Sequence, residues 1–409
     1  MIVTAPLERR TRALEFGIYR DGDNNLDQIQ SRTITQAVAA SDEEHAIQFT
    51  IEDTTSRRGF EPAHVLRTES YMLEDGAQPK HVEISPPHDM SSRENLAHFV
   101  ARTLDNAQSA QAAQTWIDLI DHGAGDGGGL ESDHGLGIMR EDDMAGAIAD
   151  GVALHAKTHP EDASRRVDGV VANQCLMATL GFESALSRAG VRFLAASPET
   201  MLAPGVPTGV ALDIAHNTGD PVAMASAVVG RVMSERYDAG AAGQFGPAAA
   251  FDVFDLDPKK IAGIETSVRT LDAALTKAAR TRTDRAAIRE DAKAIAGMVR
   301  FPGATTLPWR ADRPALALYG TFAEDGRLGA EVRSAARSAA DAIGSTVLAH
   351  GESDAFAPFH DADYSDAAGP TVHFPVTGAQ IDSWAPEVSE TDNAFYKAVG
   401  AEKLAKVVA

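Results

Sequence analysis

Residues Val167–Leu186 read VDGVVANQCLMATLGFESAL. The first part, Val167–Ala172, is a short β-branched run of strand type. From Leu176 to Arg188 the apolar residues recur at helical spacing. A strand that feeds straight into a helix is the repeating unit of a parallel sheet. Cys175 stands at that turn and is the single cysteine of 409 residues. The residue alone leaves two readings open. Free cysteine is a common small buried hydrophobe. A thiol at a helix N-terminus is a nucleophile, because the dipole and unpaired N–H groups favour thiolate.

Working outward, strand patterns fall at Leu14–Tyr19, Ala46–Ile51, Thr115–Ile120 and Val191–Ala196. Helical patterns fall at Leu26–Ala40, Ser92–Ala110 and Glu141–Lys157, the second opening on a capping arrangement of Ser91, Ser92 and Glu94. This alternation predicts an α/β fold with a mostly parallel central sheet between helical layers. A catalytic unit over 1–240 and an α/β C-terminal region over 241–409 are expected, the latter packed on or continuous with the former. Its patterns are helices at Pro207–Tyr237, Thr266–Met298 and Arg327–Ile343, a strand-to-helix step in AAAFDVFDLDPKK, and strands at Thr346–Ala349 and Thr371–Pro375.

The formal charge of -22 argues against nucleic acid and anionic membrane surfaces as partners, since polyanions repel such a chain. The first 25 residues hold no apolar run of signal-peptide length, and no segment reaches bilayer-spanning length, so the expectation is a cytoplasmic protein. A lone cysteine makes neither an internal disulfide nor a two-cysteine zinc site.

Ligands in open α/β sheets gather beyond the carboxyl ends of the strands. Those ends carry RDGDNN after the first strand, DHGAGDGGG after the third, NQC after the fourth and SPET after the fifth. In TWIDLIDHGAGDGGG an apolar strand delivers His122 and then Gly123, a pairing suited to a general acid/base beside a backbone N–H donor. Alone, a His-Gly in a glycine loop is more often a solvated turn. His134 in ESDHGLG is a second His-Gly without a comparable strand before it, so His122 is preferred. His81 and His88 fall in a polar, proline-bearing stretch and read as solvated. Trp116, Trp309 and Trp384 read as packing anchors.

Together YRDGDNNLD, IDHGAG, NQCLM followed by Glu183, and FLAASPETMLAPG resemble the clostripain family of cysteine endopeptidases, within the group that holds caspases, legumain and gingipains. AAAFDVFDLDPKK and AGPTVHFPV resemble later family segments, and roughly Thr266–Leu316 matches least. The resemblance implies a caspase-like, Rossmann-like three-layer sandwich. It further implies Cys175 as nucleophile, His122 as its acid/base partner, and the N–H groups of Gly123 and Cys175 as oxyanion donors. Asn173, Ser197 and Glu199 become the candidates for the pocket that takes the residue before the cut bond (P1). The expected partner is a peptide or protein substrate, with oligomeric state left open.

Three departures from the family pattern matter. Asn173 stands where relatives carry an aspartate that pairs with a basic P1 side chain. Losing such a charge-assisted partner costs about 1.5–3 kcal/mol, and Glu199 is the candidate replacement. Pro198 replaces a common glutamate. Many relatives are exported. Internal cleavage between the His and Cys motifs, which many relatives undergo, would use Arg140, Lys157, Arg165 or Arg166. Asp21, Asp23 and Asn24 are expected to be structural near the site. The start of DGDNNLD mimics a calcium loop, but Leu26 and Arg32 occupy positions that call for Gly and Glu. No metal or other cofactor is therefore expected, calcium resting on family analogy alone. The competing reading is a pseudopeptidase that keeps the fold as a peptide-binding module.

Overall fold

The computed structural model describes residues 12–22, 24, 26, 33–40, 47–57, 65–74, 80–132, 137–202, 204–238, 244–295, 312–353, 368–374 and 393–408. Asp23, His134, Trp309, Trp384 and residues 27–32 of the Leu26–Ala40 pattern are outside them.

A nine-stranded sheet organises these residues. Its strands are β1 (Leu14–Gly22), β2 (Ile47–Arg57), β3 (Val65–Glu74), β4 (Lys80–Ser85), β5 (Gln114–Ile120), β6 (Gly169–Asn173), β7 (Phe193–Ala196), β8 (Ala250–Asp255) and β9 (Val347–Glu352). They lie side by side as β9-β8-β7-β6-β5-β1-β2-β3-β4. The five central strands β7, β6, β5, β1 and β2 run parallel. Two antiparallel strands complete each edge. β8 and β9 come from the C-terminal region, so that region continues the sheet.

Helices cover both faces. They are α1 (Thr33–Ala40), α2 (Arg93–Ala110), α3 (Glu141–Thr158), α4 (Leu180–Arg188), α5 (Val210–His216) and α6 (Pro221–Ser234), followed by α7 (Pro258–Ala278), α8 (Arg282–Ile295), α9 (Ala315–Glu324), α10 (Ala330–Gly344), α11 (Ala394–Val399) and α12 (Ala401–Val408). The period-two alternation of strand side chains splits the core in two. Ile117, Leu119, Val170 and Leu194 join α2, α3, α4 and the C-terminal helices on one face. Phe16, Trp116, Val171 and Ala195 join α1, α5 and α6 on the other. The result is the expected three-layer α/β sandwich.

The differences from the sequence reading have local causes. β3 and β4 pair antiparallel in a region left without strands, and His81 lies in β4. His88 is exposed beyond it, within 2.8 Å of the Ser85 hydroxyl. The Pro207–Tyr237 pattern breaks into two helices, because Asp220 caps the second by accepting from Val222 and Ala223 and Pro221 starts it. Thr266–Met298 is likewise interrupted between α7 and α8. Ser92 occupies the N-cap of α2 without a side-chain bond, while Ser91 donates to Asp89 at 2.6 Å.

Two contacts fix how the central strands meet. Trp116 is fully buried, stacks on Phe193 with centroids 5.8 Å apart, and lies on its register partner Gly169. Any Cβ at Gly169 would come 2.5 Å from the indole. Arg20 and Asp53, register partners on β1 and β2, form an ion pair at 2.6 Å with both side chains 2% exposed. Such a pair selects register more than it adds stability. Gly169→Ala should lower stability by about 1–3 kcal/mol through overpacking, read as a drop in the urea midpoint at unchanged slope.

Candidate active site

The parallel strands run in chain order 2-1-3-4-5, and this order reverses between β1 and β5. Crevices open at such switch points, outside the carboxyl ends. Asp21 ends β1 there, and Asp121-His122-Gly123 follows β5. Next to them Gln174-Cys175 follows β6 and Ser197-Pro198-Glu199 follows β7. Ile120 pairs with Asn173, and Asp121 N–H donates to Asn173 O at 3.4 Å.

The His122 loop is built on Asp121. Its buried carboxylate accepts from the His122 and Glu131 N–H groups and from Asn24 Nδ2 at 2.5 Å. Asn24 also donates to Glu131 O, and its Oδ1 caps Leu26 N–H at 2.9 Å. Burial and the neighbouring Asp21 push the Asp121 carboxyl well up. Two acids side by side at the switch point cannot both ionise cheaply. Asn24 thus ties the segment after β1 to Asp121 and Glu131 in this loop.

Gly123 lies directly on the backbone of Cys175. A Cβ at position 123 would stand 2.2 Å from Cys175 O and 2.9 Å from Cys175 N. Only glycine permits that approach. Gln174, which the sequence reading did not single out, ties the two loops by donating from Nε2 to His122 O at 3.2 Å. His122 is half-buried, with its carbonyl also accepting from Leu130 N–H at 3.3 Å.

Cys175 departs from expectation. It does not begin a helix, since α4 starts at Leu180 with Thr179 as N-cap, accepting from Phe182 N–H at 2.9 Å. Residues 176–178 instead bond to the segment after β7, Leu176 N–H to Glu199 O and Ala178 N–H to Ser197 O, each at 3.0 Å. Leu176 takes the left-handed conformation at φ 66°. Sγ accepts from Met201 N–H at 3.3 Å and stands 3.7 Å from Met201 O. Burial pushes the thiol up, the Met201 bond offsets part of this, and the Asp121 charge adds to it. The helix dipole therefore does not activate this sulfur. A base must.

The three pocket candidates take different parts. Asn173 is buried and grips the backbone of Val206, accepting from its N–H at 2.8 Å and donating to its carbonyl at 3.2 Å. It neighbours the buried Asp118 carboxyl, whose oxygens have no hydrogen-bond partner among the described residues. Gly205, at φ 84°, fits against the same amide. The Ser197 hydroxyl bridges Glu199 and Ala250 backbone groups. Glu199 is the one acid of the three: burial raises its carboxyl to about 8, eased by the Thr200 N–H.

The C-terminal segments reach this site from far along the chain. Tyr396 OH donates to Asp126 Oδ2 at 2.7 Å, and Asn393 Nδ2 donates to Glu141 Oε2 at 2.7 Å. Glu141 also accepts from Thr179 Oγ1, and burial raises it to about 8. His373 Nδ1 lies 3.0 Å from Asp312 Oδ1, and the other Asp312 oxygen abuts Gly125. Asp126, Asp312 and His373 bring donor atoms within 4.8 Å of one another. Nothing in the sequence signals these pairings, which span up to 270 positions.

This architecture is the caspase-like fold of the C11, or clostripain-type, cysteine proteases. An inactive zymogen C11 protease from Parabacteroides distasonis superimposes with a TM-score of 0.63 at 17% identity, over 95% of this chain and 99% of that one. A secreted C11 cysteine protease from Bacteroides thetaiotaomicron, in complex with an irreversible peptide inhibitor, gives 0.63 at 10% identity over the same shares. A further structure of a secreted C11 protease from that organism, iotapain, gives 0.64 at 11%. No family model and no curated protein matches the sequence. Among the described residues no helix is long and apolar enough to cross a membrane.

Asn173→Asp should not simply restore an acidic pocket. It removes the donor to Val206 O and sets a second carboxyl near the buried Asp118. The expected cost is about 1–3 kcal/mol, read as a lower urea midpoint, with no gain in cleavage after arginine.

Proposed function

We propose that this chain is a cysteine endopeptidase of the clostripain type. The carrying observation is the contact of Gly123 with the Cys175 backbone, which brings the His-Gly loop and the lone thiol to one crevice. Cys175 attacks the peptide carbonyl after His122 takes its proton. His122 then protonates the leaving amine and activates water for deacylation. The Gly123 and Cys175 N–H groups receive the oxyanion. A thiol raised by burial makes the base obligatory, because too little thiolate forms unaided at neutral pH. No catalytic role falls to a third residue.

The substrate is a peptide, and the similar Bacteroides protein was captured with a peptide inhibitor. With Asn173 committed to Val206, the acid for a basic P1 side chain is Glu199. Cleavage between the two motifs would release the chain around Arg140, half-buried at the start of α3.

A thiol-directed peptide probe should label the wild-type chain, fail on Cys175→Ala, and label His122→Ala at least about 100-fold more slowly. Equal labelling of wild type and His122→Ala, with no cleavage across a peptide library, favours the binding-module reading. Specificity is read separately. Glu199 is neutral below about pH 8 and must lose its proton to pair with a cation. KM for peptides with P1 arginine should therefore fall as pH rises toward 8 and then level, while P1 leucine peptides show no such trend. A flat arginine profile, unchanged in Glu199→Gln, removes the basic-P1 assignment.

A further inference from the structure

Where α3 ends against the C-terminal half of α2, His155 and His159 stand one helical turn apart. Their rings stack with centroids 5.0 Å apart and planes 29° off parallel. Both aim a nitrogen at the same oxygen, Asp105 Oδ1: His155 Nδ1 at 2.6 Å and His159 Nε2 at 3.3 Å. The far nitrogens meet carboxylates too. His155 Nε2 is 3.5 Å from Asp162 Oδ2, and His159 Nδ1 is 3.3 Å from Glu161 Oε1. Those outer acids are themselves held, Asp162 by Arg165 Nε and Glu161 by Gln108 Nε2 at 2.8 Å. His155 is completely buried, while Asp105 is 41% exposed and leaves a path from solvent.

A neutral imidazole donates from one nitrogen only. A metal can take the lone pair of the other nitrogen, here the one aimed at Asp105, from each of the two rings. The donor atoms of Asp105, His155 and His159 already lie within 4.8 Å of one another. Tetrahedral zinc places its ligand atoms about 3.3 Å apart, the spacing His159 Nε2 already keeps from Asp105 Oδ1, while the close His155–Asp105 pair must open by roughly 0.7 Å. The Glu161 carboxylate, bonded to His159 Nδ1 at 3.3 Å, matches the pattern in which a metal-bound histidine donates its other N–H to an acid, and Asp162 stands 3.5 Å from His155 Nε2.

From this geometry we infer that Asp105, His155 and His159 form a zinc site, with Asp162 and Glu161 orienting the rings and water taking the fourth position. Two imidazoles with one carboxylate suit zinc rather than calcium or magnesium. The site is separate from the crevice and independent of the peptidase reading. It pins residues 159–168, the connection that runs into the strand presenting Cys175. Arg165 and Asp168 tie the same connection to Ala112 O and Thr115 N–H.

The test uses the full chain stripped with EDTA and then dialysed against zinc chloride. Expected are one zinc per chain at submicromolar free metal, a higher Tm with zinc than with calcium, and four-coordinate absorption bands when Co2+ replaces it. His159→Gln and Asp105→Asn, both at partly exposed positions, should keep the helical circular dichroism and weaken zinc uptake roughly 100-fold or more. No uptake below about 100 μM zinc overturns the inference. So does uptake unchanged in both variants, or calcium stabilising the chain as well as zinc does.

Discussion

The arrangement turns on one close approach, that of Gly123 to the backbone of Cys175. Two strands paired in parallel deliver it, because the Ile120–Asn173 register sets the loops after them side by side. With 2.2 Å between a notional Cβ and Cys175 O, no other residue type could stand there. Gln174 then holds the loops together through His122 O. The chemistry proposed for the crevice needs no motion of sheet strands. It depends on the two loops holding this contact.

Around the crevice, burial governs the acids. Asp118, Asp121, Glu141, Glu183 and Glu199 are all pushed upward, with desolvation the leading cause in each. Neither Glu183 oxygen has a hydrogen-bond partner among the described residues. A chain that is strongly acidic overall thus keeps much of its inner acid neutral, and ionising those groups costs stability as pH rises. The same desolvation reverses the simple view of Cys175. A turn after a strand looks like a place that lowers a thiol's pKa, yet the sulfur packs under the Met201 segment.

The C-terminal region serves the site by reaching back to it. Tyr396 holds Asp126 in the His122 loop, while Asn393 and Thr179 meet at Glu141. The chain's last helices therefore brace the loops that carry His122 and Cys175, and two of its strands close one edge of the sheet.

Local pattern was enough for much of this. The alternation of β-branched runs with helical spacing carries the parallel core, and the loaded strand ends mark Asp21, His122 and Cys175, since both follow from nearest neighbours along the chain. Pairing partners were not legible. The antiparallel edge strand 65–74 lacks clear alternation, the alternation in 80–85 is short, and Thr179 rather than Cys175 caps α4 because residues 176–178 found a ladder with 197–199. Asn173 shows the division most sharply. By itself the sequence determined that an amide stands two residues before the thiol. Only the tertiary structure decided that this amide is spent on Val206, because hydrogen-bond partners are chosen by proximity in space and the turn at Gly205 brings that backbone within reach.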